Sequence, residues 1–278
     1  MQLKDILVCV TSATQDTAAI SLADKLKQAS GAHVACAGIG ILASALLYNE
    51  YGAGAAFAEQ LNQDKLRTER FWSELKAILD RQHPDFEVRR LTTYSTNLET
   101  LTAAMARHAD VTIIRAPDKE SPQPHAEMIE AALLGSGRPV LVVPAGWAGQ
   151  TVGSNIVVGW DASREAARAL HDALMILAPG ASVAIVTIDA KAGGLEHGDA
   201  PGMDIAAHLA RHGLKVVLRN EASLGRSKHE VLQRIARDID ADLMVLGGYR
   251  HSRLQQALFG GVTRSMLRGV DLPLLLSH

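Results

Sequence analysis

The chain has 278 residues, of which 47% are hydrophobic and 21% charged; this length and balance fit two globular domains and exclude a disordered or collagen-like polymer. Its 28 Lys and Arg residues are balanced by 30 Asp and Glu. There is no broad basic field of the kind that gathers nucleic acid or anionic lipid, so neither is expected as a partner.

The chain opens on Asp5-Ile6-Leu7-Val8-Cys9-Val10, an apolar run that reads as a buried strand and is too brief for a signal-peptide core. A cytoplasmic location is the expectation. Cys9 and Cys36 lie in apolar stretches without CxxC spacing, as two buried thiols of a reducing compartment do. The uncharged stretch 33–49 is interrupted by Gly38, Gly40 and Ser44. It reads as a strand running into a helix, since a membrane span needs about 20 predominantly apolar residues. Gly38-Ile39-Gly40 reads as a turn, because the third glycine of a dinucleotide fingerprint is missing. Thr96-Asn97-Leu98-Glu99 has capping-box spacing, and Leu98, Leu101 and Met105 then share a helix face. Residues 109–114 read as a strand, and 126–134 as a helix stopped by Gly135-Ser136-Gly137. Residues 138–143 form the next strand. The run Pro144-Ala145-Gly146-Trp147-Ala148-Gly149-Gln150-Thr151-Val152-Gly153 has the composition of a connector and separates domains at 1–148 and 149–278.

Beyond the connector the pattern begins again. Asn155-Ile156-Val157-Val158-Gly159-Trp160 repeats the opening strand, and Ala241-Asp242-Leu243-Met244-Val245-Leu246 repeats Ala109-Asp110-Val111-Thr112-Ile113-Ile114. Leu272-Pro273-Leu274-Leu275-Leu276-Ser277 repeats Arg138-Pro139-Val140-Leu141-Val142-Val143. Order is kept while spacing shortens, which places extra residues of copy one in 43–81. There Leu46, Tyr48, Tyr51, Gly52, Gly54 and Phe57 suit either a flap or contact surface or a buried helix. Copy two has its own capping box, Ser227-Lys228-His229-Glu230, followed by Val231, Ile235 and Ile239 on one face. Short apolar strands alternating with such helices predict an α/β fold of two doubly wound parallel-sheet domains in tandem, with flavodoxin-like layering.

Ligands of open parallel sheets bind outside the carboxyl ends of the strands. In copy two the first strand leads to Asp161, and a later one runs into Gly247-Gly248-Tyr249-Arg250 and then Gly260-Gly261-Val262-Thr263, which opens a helix. Glycine lets backbone amides approach a phosphate, and a helix N-terminus favours the anion. Thr263 adds a hydroxyl, Arg250, Arg253 or Arg264 a charge, and Asp161 an acceptor for ribose hydroxyls. Copy one has Thr11 in place of the acid and Arg115-Ala116-Pro117-Asp118 in place of the first glycine turn, then Ser121-Pro122-Gln123-Pro124. Proline offers no N–H, so copy one is expected to hold no nucleotide. His208 and His212 stand one helical turn apart without a third ligand and read as a solvated face, as do His197 and Asp199 in a loop. There is no GxxxxGK[ST] loop and no GxSxG elbow; no catalytic residue and no metal site is assigned.

At these residues the chain resembles the universal stress protein family, along essentially its whole length and twice. Nucleotide-binding members carry a glycine, two residues, a second glycine, nine residues, then a glycine followed by a small hydroxyl residue. Here Gly247 and Gly260 stand at the first and third glycines, Arg250 at the second and Gly261 at the hydroxyl position, with Val262 and Thr263 continuing the pattern; Asp161 matches the acid that faces ribose and base. The resemblance implies adenine nucleotide alpha hydrolase-like domains and a stress-associated regulatory or binding role. It also implies ATP or AMP as the ligand of copy two, held by Asp161, Gly247, Arg250, Gly260, Gly261, Val262 and Thr263. Arg250 either closes the phosphate path or replaces a backbone contact with a charged one. The resemblance further implies that strands 140–143 and 274–276 meet about an approximate twofold axis. A slow nucleotide hydrolase or transferase, and an interaction scaffold without a nucleotide site, are the alternatives on this fold. A protein partner and a homodimer through an exposed sheet edge are compatible with it.

Overall fold

Two runs of short apolar strands on either side of the connector set the architecture of the computed structural model, which describes residues 2–43, 54–117, 124–191, 193, 200–248, 269 and 271–278. Copy one runs β1 (Asp5–Val10), α1 (Thr17–Ser30), β2 (His33–Leu42), α2 (Gly54–Gln82), β3 (Glu87–Tyr94), α3 (Leu98–Ala106), β4 (Val111–Arg115), α4 (His125–Gly135) and β5 (Val140–Val143). Copy two runs β6 (Asn155–Gly159), α5 (Arg164–Ala173), β7 (Ser182–Ile188), α6 (Met203–Arg211), β8 (Lys215–Glu221), α7 (Lys228–Asp238), β9 (Leu243–Gly247) and β10 (Leu274–Ser277). All the strands join one sheet in the order β3-β2-β1-β4-β5-β10-β9-β6-β7-β8. Pairing is parallel within each copy. Helices cover both faces, which is why β1, β4, β5 and β10 read as continuous apolar runs rather than alternating ones.

The copies meet where β5 and β10 pair antiparallel, with Leu274 opposite Val142, Leu275 opposite Leu141 and Leu276 opposite Val140. In the sequence repeat Leu141 corresponds to Leu275, so the central pair sets a residue against its own counterpart. That is the signature of an isologous contact about an approximate twofold axis. The repeated Ala-Asp pairs are latches ahead of β4 and β9. Asp110 accepts hydrogen bonds from the Lys4 and Asp5 amides at 2.8 and 3.0 Å. Asp242 accepts from the amides of Gly153, Ser154 and Asn155 at 3.0 to 3.1 Å.

Two sequence expectations are corrected. The Thr96–Glu99 capping box does not form: Ser95–Asn97 make a 3-10 turn, and Asn97 takes the N-cap of α3 without a side-chain bond. The Ser227–Glu230 box does form, each partner bonding the other's amide, at 3.3 and 2.7 Å. Gly38-Ile39-Gly40 is not a turn but the middle of β2. A Cβ on Gly38 would stand 2.7 Å from Leu75 Cδ2, and one on Gly40 would overlap Thr68, so these glycines let α2 lie directly on the strand. Finally, the extra length of copy one goes largely into α2, a helix of 29 residues, against 9 for α6 at the equivalent place in copy two. Asp64, Thr68, Phe71, Leu75 and Leu79 are buried along it, which is the buried-helix alternative for that part. Phe57 is half-buried, while Leu46, Tyr48, Tyr51 and Gly52 lie outside the described residues.

Gly40→Val should lower stability by about 1–3 kcal/mol through overpacking. Gly146→Val in the connector, where a Cβ meets nothing within 4 Å, should be nearly silent; urea unfolding midpoints of the two variants check this.

Candidate functional site

In each copy strand order reverses at one place, between β1 and β4 and between β6 and β9. The crevice at the carboxyl ends of those strands is the favoured ligand position of a doubly wound sheet. The two crevices are built at equivalent positions from different residues. β4 ends on Arg115, paired with Val143 of β5; β9 ends on Gly247, paired with Ser277 of β10. Beyond each strand the next amide bonds the neighbouring strand in the same way, Ala116 N to Val143 O at 2.7 Å and Gly248 N to Ser277 O at 2.8 Å.

Copy one fills its crevice with its own side chains. Asp16, the residue before α1, does not cap the helix. Its carboxylate turns inward and accepts from the Thr11 amide at 2.7 Å and the Ser12 amide at 3.0 Å. Arg115 Nε donates to it at 2.7 Å, and His125 Nε2 lies 3.0 Å from it. Thr11 Oγ1 sits 3.3 Å from the same imidazole nitrogen, and Arg115 Nη1 donates to the Ala116 carbonyl at 3.3 Å. Asp16, Arg115 and His125 are 0%, 2% and 3% exposed. Burial by itself would raise the Asp16 pKa, but the hydrogen bonds and charges of His125, Thr11 and Arg115 outweigh it and hold the group down at about 2. Beside this cluster the free thiols of Cys9 and Cys36 are buried. Burial, with the Asp16 charge adding to it, pushes Cys36 up to about 12 and raises Cys9 as well, so both are packing groups rather than reactive thiolates.

Copy two is built otherwise. Asp161 lies two residues past β6 and is half-buried; it accepts from the Ser163 amide at 3.1 Å and the Ser163 hydroxyl at 2.6 Å. Ser163 in turn caps α5, accepting from the Ala166 amide at 3.1 Å. Between them Ala162 adopts φ +58°, a left-handed conformation costing a non-glycine residue about 1–2 kcal/mol. Gly247 faces the first turn of α5 so closely that a Cβ would stand 2.5 Å from the Ala166 nitrogen and 2.6 Å from the Glu165 carbonyl carbon. Glycine here brings a helix N-terminus over the end of the strand. Glu165 is buried in that turn and its Oε1 accepts from Arg164 Nε at 2.5 Å. Burial raises its pKa, but Arg164 and the turn's own amide lower it further, for a net fall.

Of the residues singled out from sequence, Asp161 and Gly247 thus stand at the ends of adjacent strands of one crevice. Arg250, Gly260, Gly261, Val262 and Thr263 lie outside the described residues, as do Arg253, Arg264, His197 and Asp199. The Asp16–Arg115–His125 cluster escaped sequence reasoning. Its signals were an arginine closing an otherwise apolar strand and a histidine opening an apolar helix. Of the expected solvated face, His212 is exposed as expected, whereas His208 is half-buried against α5. His171 brings a third imidazole, with ring centroids 5.2 Å from His171 to His208 and 4.7 Å from His208 to His212. His208 Nε2 is buried without a hydrogen-bond partner, and its pKa is lowered by burial and then by His212, His171 and Arg211. Among the described residues no group of three or more His, Cys, Asp or Glu is arranged to hold a metal ion, and no helix is long and apolar enough to cross a membrane.

Residues 154–278 match the model of the Universal stress protein family. No curated protein matches the chain. Among solved structures, a universal stress protein from Archaeoglobus fulgidus DSM 4304 superimposes with a TM-score of 0.68 at 14% identity, over 99% of this chain and 96% of that one. A functionally unknown protein from Pseudomonas aeruginosa PAO1 gives 0.52 at 14% identity, over 99% and 92%. A universal stress protein in complex with cAMP covers 46% of this chain and 99% of that one, at 20% identity and a TM-score of 0.34. The whole-chain likenesses are ones of fold: both relatives share the α/β architecture across the two copies.

Asp16 carries a pH prediction. Its pKa is lower folded than unfolded, so its stabilisation is present above about pH 4 and is lost as pH falls toward about 2. Wild-type stability should fall across that window. Asp16→Asn should be destabilised by about 3–5 kcal/mol at pH 7, because it removes the buried carboxylate charge that answers the Arg115 guanidinium, and should lose less on acidification. Denaturant melts from pH 7 to pH 2 measure both effects.

Proposed function

We propose that this chain, a tandem member of the universal stress protein family, is a regulatory binding protein that takes one adenine nucleotide, ATP or AMP, in copy two and none in copy one. The observation that carries the reading is the contrast between equivalent crevices. Where copy one places the Arg115 side chain against Asp16 and His125, copy two places Gly247 beneath the N-terminus of α5. An arginine already committed to a buried carboxylate leaves neither room nor charge for a phosphate. A bare strand end under a helix N-terminus suits one. Asp161, fixed by Ser163, is the acceptor for ribose hydroxyls in this reading. The proposed phosphate-facing residues are Arg250, Gly260, Gly261, Val262 and Thr263, with the copies divided at 148 and 149.

One observation favours the scaffold alternative. Glu165, a buried carboxylate in the first turn of α5, already answers the positive end of that helix and repels a phosphate brought to it. Calorimetric titration separates the readings.

With ATP, AMP and cAMP as probes, the nucleotide reading expects one site per chain, weakened about tenfold or more by Asp161→Ala. It also expects a melting temperature raised by about 5 °C or more at a hundredfold excess over Kd. No heat and no thermal shift with any of the three would leave the scaffold in its place, and two sites per chain would contradict the closure of copy one.

A further inference from the structure

Gly248, the residue after β9 in copy two, is buried at the seam between the copies. Its amide donates to the Ser277 carbonyl at 2.8 Å, and its carbonyl accepts from His278 Nδ1 at 3.1 Å. The space a Cβ would take is closed by Leu133, whose Cδ2 would be 3.1 Å away. Leu133 is a buried residue of α4 and therefore belongs to copy one. A second link crosses beside it: Arg168 Nη2 of α5 donates to the Gly137 carbonyl, just past α4, at 2.7 Å. The C-terminal end of α4 therefore meets both walls of the copy-two crevice, the strand end at Gly248 and the helix that roofs Gly247.

The other end of α4 begins at His125, inside the filled crevice of copy one, 3.0 Å from Asp16 and 3.3 Å from Thr11. The helix has 11 residues and spans about 16 Å. Met128, Ile129, Ala132 and Leu133 are buried along it. Ala103 of α3 lies so close to Gly135 that a Cβ there would be 2.8 Å away. A helix packed in this way cannot slide or turn without opening its neighbours.

We propose that the closed crevice of copy one anchors α4, and that Leu133 thereby fixes Gly248, at the end of β9 in copy two, as a positioning residue for the ligand of that copy. The inference rests on the reading that copy two takes an adenine nucleotide, and adds that affinity there depends on a side chain of copy one. Glycine has more conformational freedom to lose than any other residue. Packing Leu133 against it removes part of that freedom in advance and leaves less to be lost when the ligand arrives.

The test uses the full chain, ATP as probe, and Leu133→Ala, with Leu79→Ala as the comparison. Leu79 is a buried leucine of α2 in copy one, so its loss reports general destabilisation. Hydrogen exchange of the Gly248 amide is followed without nucleotide, and ATP affinity by calorimetry. Leu133→Ala should speed Gly248 exchange and weaken ATP about fivefold or more, while Leu79→Ala should do neither. Unaltered Gly248 exchange in Leu133→Ala, equal acceleration in Leu79→Ala, or an ATP affinity within about twofold of wild type would overturn the positioning role. Should the wild-type chain bind neither ATP nor AMP, the nucleotide reading fails by itself, and Gly248 exchange still decides whether the copies are coupled. Leu133→Val, a smaller loss of volume, replaces the alanine variant if that one does not fold.

Discussion

The antiparallel pairing of β5 with β10 is the contact on which the rest of the architecture depends. Each of these strands is four residues long and buried throughout. Either copy alone would present such a strand as a bare apolar edge, with its backbone groups unpaired and its side chains in water. Setting Leu141 against Leu275, with Val142–Leu274 and Val140–Leu276 on either side, removes both edges at once. The sheet that results ends on β3 and β8, whose residues alternate between exposed and half-buried and carry charge at Glu87, Arg89, Arg90, Lys215, Arg219 and Glu221. The same pairing holds α4 of copy one against Gly248 of copy two, so the geometry of one crevice becomes part of the surroundings of the other.

Within that frame the two crevices have diverged in chemistry while keeping their backbone connections. Ala116 and Gly248 make the same bond to the last strand of their copy. The residue before each decides the outcome, an arginine at 115 and a glycine at 247. A buried guanidinium is tolerable only when its charge and its donors are answered. Asp16 does this after giving up the helix-capping role that Ser163 keeps in copy two. The closure of copy one is therefore electrostatic as well as steric, and it is made from residues that arrive from β4, the start of α1 and the start of α4.

How much of this was legible in the chain depends on the range of the interaction. The strands and their repetition were, because a strand covered on both faces must be apolar throughout and its run of residues says so. The repeated Ala-Asp pairs also appeared in the sequence, although their purpose as latches did not, since Asp110 reaches Lys4 and Asp5 across more than a hundred residues. Local rules failed where a neighbour changed the demand on the backbone. Gly38 and Gly40 looked like a turn until α2 was laid across them, and the Thr96 capping box gave way to a 3-10 turn. The candidate site was partly visible as well: Asp161 and Gly247 were singled out and stand at adjacent strand ends, whereas Asp16 and His125 were passed over because the contacts that join them to Arg115 and to each other are made only by the fold.

The sequence by itself determined the fold class, the duplication and the loss of the first glycine turn from copy one, because hydrophobic periodicity and backbone-permissive residues act over a few positions and leave their mark there. Only the tertiary structure decided that the copies share one sheet, that Arg115 is answered by Asp16 and His125, and that Leu133 of one copy closes on Gly248 of the other. These are contacts between residues far apart in the chain, and their energy depends on burial and geometry that arise only when the strands have been set side by side.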